Sequence, residues 1–271
     1  MRYILDHDLH IHSGGSMCSG DPAQTPARIL QYAADEGLTT VALTDHFWDE
    51  TVPMPTGGWG PDFYGPQNWP HISKNLPLPT REGIRFLFGA EVDMTLDGTV
   101  GISQERLAAM DFVLISISHF HCTDFTISAD EAATPAGRAE ALLRKLEWVL
   151  DLPLPFHKVG LAHLTGQKLG ASDPDFHCEV LRLVQGERLT HLFKKAAALG
   201  VGIELNTATF NFGSDSEREA VTAFYAHAKE CGCKFFFGSD AHGAGQFAPH
   251  RARGQAMADA LSLTEADIFR P

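Results

Sequence analysis

At 271 residues, 44% of them hydrophobic and 20% charged, the chain has the make-up of a globular protein with a sizeable core, which excludes a disordered or fibrous one. Its length suits one large domain, a strand-helix barrel of about 250 residues being a common solution, with two small domains as the alternative. A formal charge of −13, from 34 acidic and 21 basic residues, leaves no broad polyanion-binding surface, so nucleic acid is not an expected partner. Bound cations would offset part of that charge, so a small phosphorylated substrate stays open.

Five irregularly spaced cysteines do not form a disulfide framework and point to a reducing cytoplasm. The start, Met1-Arg2-Tyr3, leads straight into a short apolar stretch and lacks the pattern of an export signal. No apolar run is long enough for a membrane span, so neither export nor membrane insertion is expected.

Short apolar runs alternate with helical patterns, as in strand-helix units around a parallel sheet. In chain order the expected strands are Tyr3 to His10, Thr39 to Thr44, Arg85 to Glu91, Phe112 to Ser118, Lys158 to His163, Val201 to Asn206 and Lys234 to Ser239. Helices are expected over Thr25 to Glu36, Arg138 to Leu150, Val180 to Ala198, Ser216 to Cys231 and Gly254 to Leu261. Gly37, Gly200 and Gly232 stand where helices end. Thr51 to Arg81, inside a longer insertion at about 47–84, is rich in Pro and Gly and shows no helical or strand period. It carries Trp59, Tyr64 and Trp69. A loop of that length is either a lid whose rings contact substrate or a surface excursion packed by its own rings.

Residues able to bind metal collect at the C-terminal ends of the expected strands. The first offers His10 and His12, the second Asp45 and His46, and the third Glu91. The fourth ends at His119, the fifth at His163, the sixth at Glu204 and Asn206, and the seventh at Asp240 and His242. In parallel barrels that rim carries the active site. A lone histidine is usually a packed or surface residue, and His7, His71, His157, His177, His191, His227 and His250 lack the joint pattern. Residues two apart on an extended segment face the same way, so His10 and His12 can face one centre if the strand continues that far, and Asp240 and His242 repeat the spacing. Imidazoles with carboxylates suit Zn, Mn or Fe, and a mixed set can hold more than one ion.

Seven stretches together carry a resemblance. They are Asp8-Leu9-His10-Ile11-His12, Leu43-Thr44-Asp45-His46, Gly89-Ala90-Glu91, Ser116-Ile117-Ser118-His119, Gly160-Leu161-Ala162-His163, Ile203-Glu204-Leu205-Asn206 and Gly238-Ser239-Asp240-Ala241-His242. In this order they resemble the PHP (polymerase and histidinol phosphatase) domain family. The resemblance implies a distorted TIM-like (β/α)7 barrel of the α/β class, which agrees with the seven strands read from the pattern. It also implies two or three divalent ions. One would be held by His10, His12, Glu91 and Asp240, with Glu91 bridging to a second held by His119 and His163. A third would be held by His46, His242 and the residue six places after His12. That residue is Cys18 here, where the family has His or an acid. Either its thiolate biases the third site toward a softer ion such as Zn, or Cys18 is a bystander and Asp21 or nothing takes the place.

The implied activity is metal-dependent phosphate-ester hydrolysis, most simply of a small monoester, with a metal-bridging hydroxide as nucleophile. Glu91 and Asp240 then count among the catalytic groups, together with His121, which protonates the leaving group, contacts substrate or simply packs. Lys168, Arg251 and Arg253 are the candidates for substrate contact. Asp45, Glu204 and Asn206 are expected to orient the ligands from behind or cap the rim. No Cys is followed six places on by Arg, and there is no G-x-x-x-x-G-K-[ST] loop or G-x-S-x-G elbow. Two readings of other classes stay open: an amidohydrolase-type metal-dependent hydrolase, though no Lys stands at a suitable strand end, and a metal-binding, non-enzymatic regulatory module. Histidinol phosphate is one candidate substrate. The residues decide neither the substrate nor the oligomeric state.

Overall fold

The computed structural model describes residues 2–58, 60–170 and 172–271; Trp59, one of the aromatics assigned to the candidate lid, lies outside them. Seven strands run β1 His7–Ile11, β2 Thr40–Leu43, β3 Arg85–Asp93, β4 Phe112–Ser116, β5 Val159–Ala162, β6 Gly202–Asn206 and β7 Lys234–Gly238. Every neighbouring pair is parallel, in chain order. The ring closes between β1 and β7 through Asp240 N to His10 O at 2.7 Å and His12 N to Ala241 O at 3.1 Å. Side chains complete this seam: Phe237 N donates to His7 Nε2 at 3.0 Å and Ser239 N to Asp8 Oδ1 at 2.9 Å. This is a distorted TIM-like (β/α)7 barrel.

Alternation decides what faces inward. On β4 Phe112 and Leu114 join the interior floor with Leu9, Ala42, Leu87, Ala162, Phe236 and Phe269. Val113 and Ile115 face the outer core, with Ile203 and Leu205 of β6 and Phe235 and Phe237 of β7. Glycine makes room where the floor is widest, since a Cβ at Gly160 would overlap the Phe236 and Phe112 rings. Above the floor the inward positions turn polar: Glu91 and Asp93 on β3, Glu204 and Asn206 on β6. β1 reaches this layer by a register shift between Asp8 and Ile11. The shift leaves Leu9 in the floor and turns both His10 and His12 toward the centre.

Several elements differ from expectation. β1 begins at His7 rather than Tyr3, and β3 runs on to Asp93. The helix expected over Val180 to Ala198 is two, Pro174–Leu183 and Glu187–Leu199. Gly186, at φ 142°, breaks the run, and Asp173 caps the first of the pair. The last helix starts at Phe247 rather than Gly254, and a short helix Gln104–Ala109 follows Ser103. Gly37, Gly200 and Gly232 end their helices at positive φ, as expected. The insertion is not aperiodic throughout, for it contains the helices Gly60–Tyr64 and Trp69–Ile72 and the turn Ser73–Asn75. Among the described residues no helix is long and apolar enough to cross a membrane.

Candidate metal centre

At the C-terminal rim His10 Nε2, His12 Nε2, Glu91 Oε2 and Asp240 Oδ1 converge. Five of their pairwise separations run from 3.1 to 3.5 Å. Donors about 2.1 Å from one central ion stand about 3.4 Å apart in a tetrahedron, so this spacing fits a cation better than direct contact. The other oxygen of Glu91 turns the opposite way, with Oε1 2.7 Å from His163 Nε2 and 3.7 Å from His119 Nε2. One buried carboxylate thus faces two donor groups.

A third group lies alongside. His12, Cys18, His46 and His242 each offer a donor atom, all within 4.8 Å of one another. The rings of His12 and His242 stack at 4.3 Å. His46 Nδ1 is buried with no hydrogen-bonding partner, 3.2 Å from Glu91 Oε2. Such an orphaned nitrogen is costly unless a ligand meets it, which fits a cation site. Two of the positions are held in uncommon backbone: His163 at φ 32° and Asp240 at φ 52°. Both stand one or two residues past a strand end, where the left-handed turn swings the side chain back over the barrel mouth.

The Nδ1 atoms of His10, His119, His163 and His242 are tied from behind, whereas His12 Nδ1 is buried without a partner. His10 Nδ1 meets Glu204 Oε1 at 2.8 Å, and the same carboxylate accepts His163 N at 2.6 Å through Oε2. Gly238 leaves the space for this pair, since a Cβ there would collide with Glu204 and His10. Ser118 Oγ pairs with His163 Nδ1 at 2.9 Å, and His242 Nδ1 with Asp240 O at 2.8 Å. Asp93 Oδ1 receives His119 Nδ1 at 3.0 Å, while its Oδ2 accepts the Tyr64 hydroxyl. This is the bonding that fixes a tautomer and leaves Nε2 for a ligand.

Charges follow from the crowding. Burial alone would raise Glu91 and Asp240, yet the surrounding imidazoles hold both well below the usual carboxylate range. Burial alone would lower His12 and His119, but Asp240 and Glu91 around the first, and Asp93 around the second, raise each to about 9. His46, buried and facing His12 and His119, falls to about 3. Desolvation and the nearby carboxylates lift the Cys18 thiol to about 12, although the residue keeps exposed surface at the mouth.

The structure therefore brings together His10, His12, Cys18, His46, Glu91, His119, His163, Asp240 and His242, with Glu204 behind them. Asn206 Nδ2 reaches Asp240 Oδ2 at 3.3 Å. Asp21, the alternative to Cys18, turns to Ala23 N instead. Asp45 does not orient a ligand histidine: it accepts Ser13 N and Ser13 Oγ, both at 2.6 Å, and Asn75 Nδ2 at 3.1 Å. Arg251 is also misplaced by the sequence reading. Its guanidinium donates to Glu36 O and Leu5 O, ahead of β1 and at the opposite end of the barrel from the cluster. Arg253 shares its helix and does not border the cavity over the cluster. Lys168 and His121 do border it. Desolvation and the fields of His119 and Lys168 lower His121 to about 4 in the metal-free protein.

Sequence reasoning missed Asp93 and the use made of the insertion. The cavity over the cluster measures about 400 Å³, and no described residue between 51 and 81 borders it. The insertion instead packs Tyr64 against Trp48, Cys122 and Phe125, and it grips the segment that carries Cys18. Gln67 Oε1 accepts Met17 N at 3.0 Å and Ser16 Oγ at 3.3 Å, and His71 Nε2 meets Gly15 O at 2.8 Å.

Comparison with known proteins agrees with this geometry. A family model described as PHP domain matches residues 8–208. A curated protein of Syntrophotalea carbinolica, named a probable phosphatase, is 32% identical over 116 residues, 42% of this chain and 41% of that protein. The match thus spans about two-fifths of that relative's length. Among solved structures, the histidinol phosphate phosphatase of Lactococcus lactis, complexed with zinc, L-histidinol and phosphate, superposes with a TM-score of 0.61 at 17% identity, over 97% of this chain and 95% of its own. A Listeria monocytogenes protein assigned as a histidinol phosphatase gives 0.59 at 16% identity, over 89% and 97%. At these identities the likeness speaks to the fold.

Proposed function

Because this chain belongs to the PHP domain family, we propose that it is a metal-dependent phosphoesterase acting on a small phosphomonoester. The observation that carries the proposal is Glu91, whose two oxygens serve two donor groups at once. When bound, divalent cations would supply an activated water and neutralise phosphate charge. His10, His12, Glu91 and Asp240 would hold one, Glu91, His119 and His163 a second, and His46, His242 and Cys18 a third. The thiolate favours a softer ion such as Zn at that last position, with Mn or Fe as candidates elsewhere.

The chain's own groups then have definite tasks. Glu204, Asp93 and Ser118 hold the ligand imidazoles with Nε2 forward. The cavity, about 400 Å³, is sized for a small molecule rather than a polymer. Hydrolysis breaks the ester P–O bond and forms one to the water oxygen, with the water's protons ending on phosphate and alcohol. His121 borders the cavity and is placed for a contact with substrate.

A screen of phosphomonoesters, phosphodiesters and amides with Zn, Mn and Fe tests the reading, and histidinol phosphate, whose product alcohol the Lactococcus lactis protein was solved with, belongs in it. Turnover of monoesters alone is the expected result. Turnover of amides alone would transfer the site to amidohydrolase chemistry, and none at all to a regulatory module.

A further inference from the structure

The cavity over the donor cluster has two unlike sides. The donors form one. The other is built from Gly166, Gln167, Lys168, Ala208, Thr209 and His121. Among the described residues this second wall holds no carboxylate, and its one permanent charge is the Lys168 ammonium. The acids nearby are turned elsewhere: Asp173 and Glu217 border a separate cavity beyond Gln167. There Asp173 caps a helix, and Glu217 is engaged by His177 Nδ1 at 2.9 Å and Gly213 N at 2.6 Å.

Lys168 is exposed, but its backbone is fixed. It sits in the turn Gln167–Gly170, directly after the His163 rim position. The buried guanidinium of Arg138 spans this turn, with Nη1 donating to Lys168 O at 2.8 Å and to Leu169 O at 3.0 Å. Its Nε donates to Ala132 O at 2.8 Å. Gln167 Nε2 adds a bond to Asn211 O at 3.1 Å. A buried arginine spent on two consecutive carbonyls sets the position from which the lysine side chain reaches the mouth. Lys168 and His121 thus border the same wall of the cavity.

A substrate phosphate drawn to the donor cluster would leave the rest of the molecule facing this wall. Resting on the phosphoesterase reading, we propose that Lys168 selects phosphomonoesters whose alcohol portion carries a second negative charge, a carboxylate or another phosphate, over neutral or aminoalkyl ones. Hydrolysis leaves that second charge untouched, so the contact persists from substrate to product.

The test uses the full, metal-loaded chain and three probes of similar size: 3-phosphoglycerate, glycerol 3-phosphate and phosphoethanolamine. Wild type is expected to prefer the first over the last by about tenfold or more in kcat/KM, the scale of one partly screened charge contact. Lys168→Arg retains the preference, Lys168→Ala removes most of it through KM, and Lys168→Glu inverts it. The preference also shrinks as salt rises. Equal turnover of anionic and cationic probes, or a Lys168→Glu loss uniform across all three, overturns the inference while leaving the phosphoesterase reading in place. Absence of turnover with every phosphate ester and metal overturns both.

Discussion

At the residue scale the centre depends on side chains that never face the cavity. Asp93 shows this. Its carboxylate holds His119 Nδ1 and is buried to 1% exposure, so its charge acts almost undiluted on the imidazole. Asp93→Asn keeps the shape and removes the charge. It is expected to weaken cation binding at the Glu91, His119 and His163 group by about 10- to 100-fold, read by titration of the stripped protein. Unchanged affinity would reduce Asp93 to a packing residue. The signal for Asp93 was present in the chain, because Glu91 and Asp93 are two apart and a strand continued by one more pair puts both inside. Ending that strand at Glu91 hid it. Apart from Cys18, which lies well past β1, the clustered side chains were legible, since they lie on or just after strands that hydrophobicity marks. Arg251 misled because closeness to a rim residue in sequence says nothing about which end of the barrel a side chain reaches; Asp45 stays at the rim but spends its oxygens on Ser13 and Asn75.

At the element scale two irregular pieces place the third donor group. The register shift in β1 turns His10 inward beside Leu9, and the insertion then fixes the segment after His12. Gln67 is fully buried, and both of its amide atoms are bonded: Oε1 to Met17 N and Ser16 Oγ, Nε2 to Phe63 O. Gln67→Ala would leave the Met17 amide unpaired and loosen the turn behind Cys18. The expected outcome is a selective loss of the cation nearest Cys18, matched by Cys18→Ser, with the other two groups still loaded. Metal analysis after dialysis distinguishes this from general unfolding, which would empty all of them. None of this was readable beforehand. A Pro-rich stretch has no period to betray its contacts, and its grip on residues 15–17 arises from tertiary packing. The seven strands were readable because alternation and apolar runs are local properties, whereas the Gly186 break failed because a helical pattern continues on both sides of it.

For the whole molecule, the donors come from β1, β3 and the segments that follow β1, β2, β4, β5 and β7, so any occupant ties the open rim together. In the stripped protein protons do part of that work. His12 and His119 are raised from 6.5 to about 9, which means the fold favours their charged forms. A group raised in this way stabilises fully below its unfolded value and ceases to do so as pH climbs through the folded one. The metal-free Tm is therefore expected to fall between pH 6.5 and 9. Cations need the same imidazoles deprotonated, so binding expels protons and strengthens over that interval. At fixed free metal the loaded protein gains linkage stability while the stripped one loses it, and the gap between their Tm values widens with pH. Paired thermal scans with metal and with chelator measure that gap. If it stayed constant from pH 6.5 to 9, proton and cation would not be competing for His12 and His119, and those residues could not be the ligands the rim geometry makes of them.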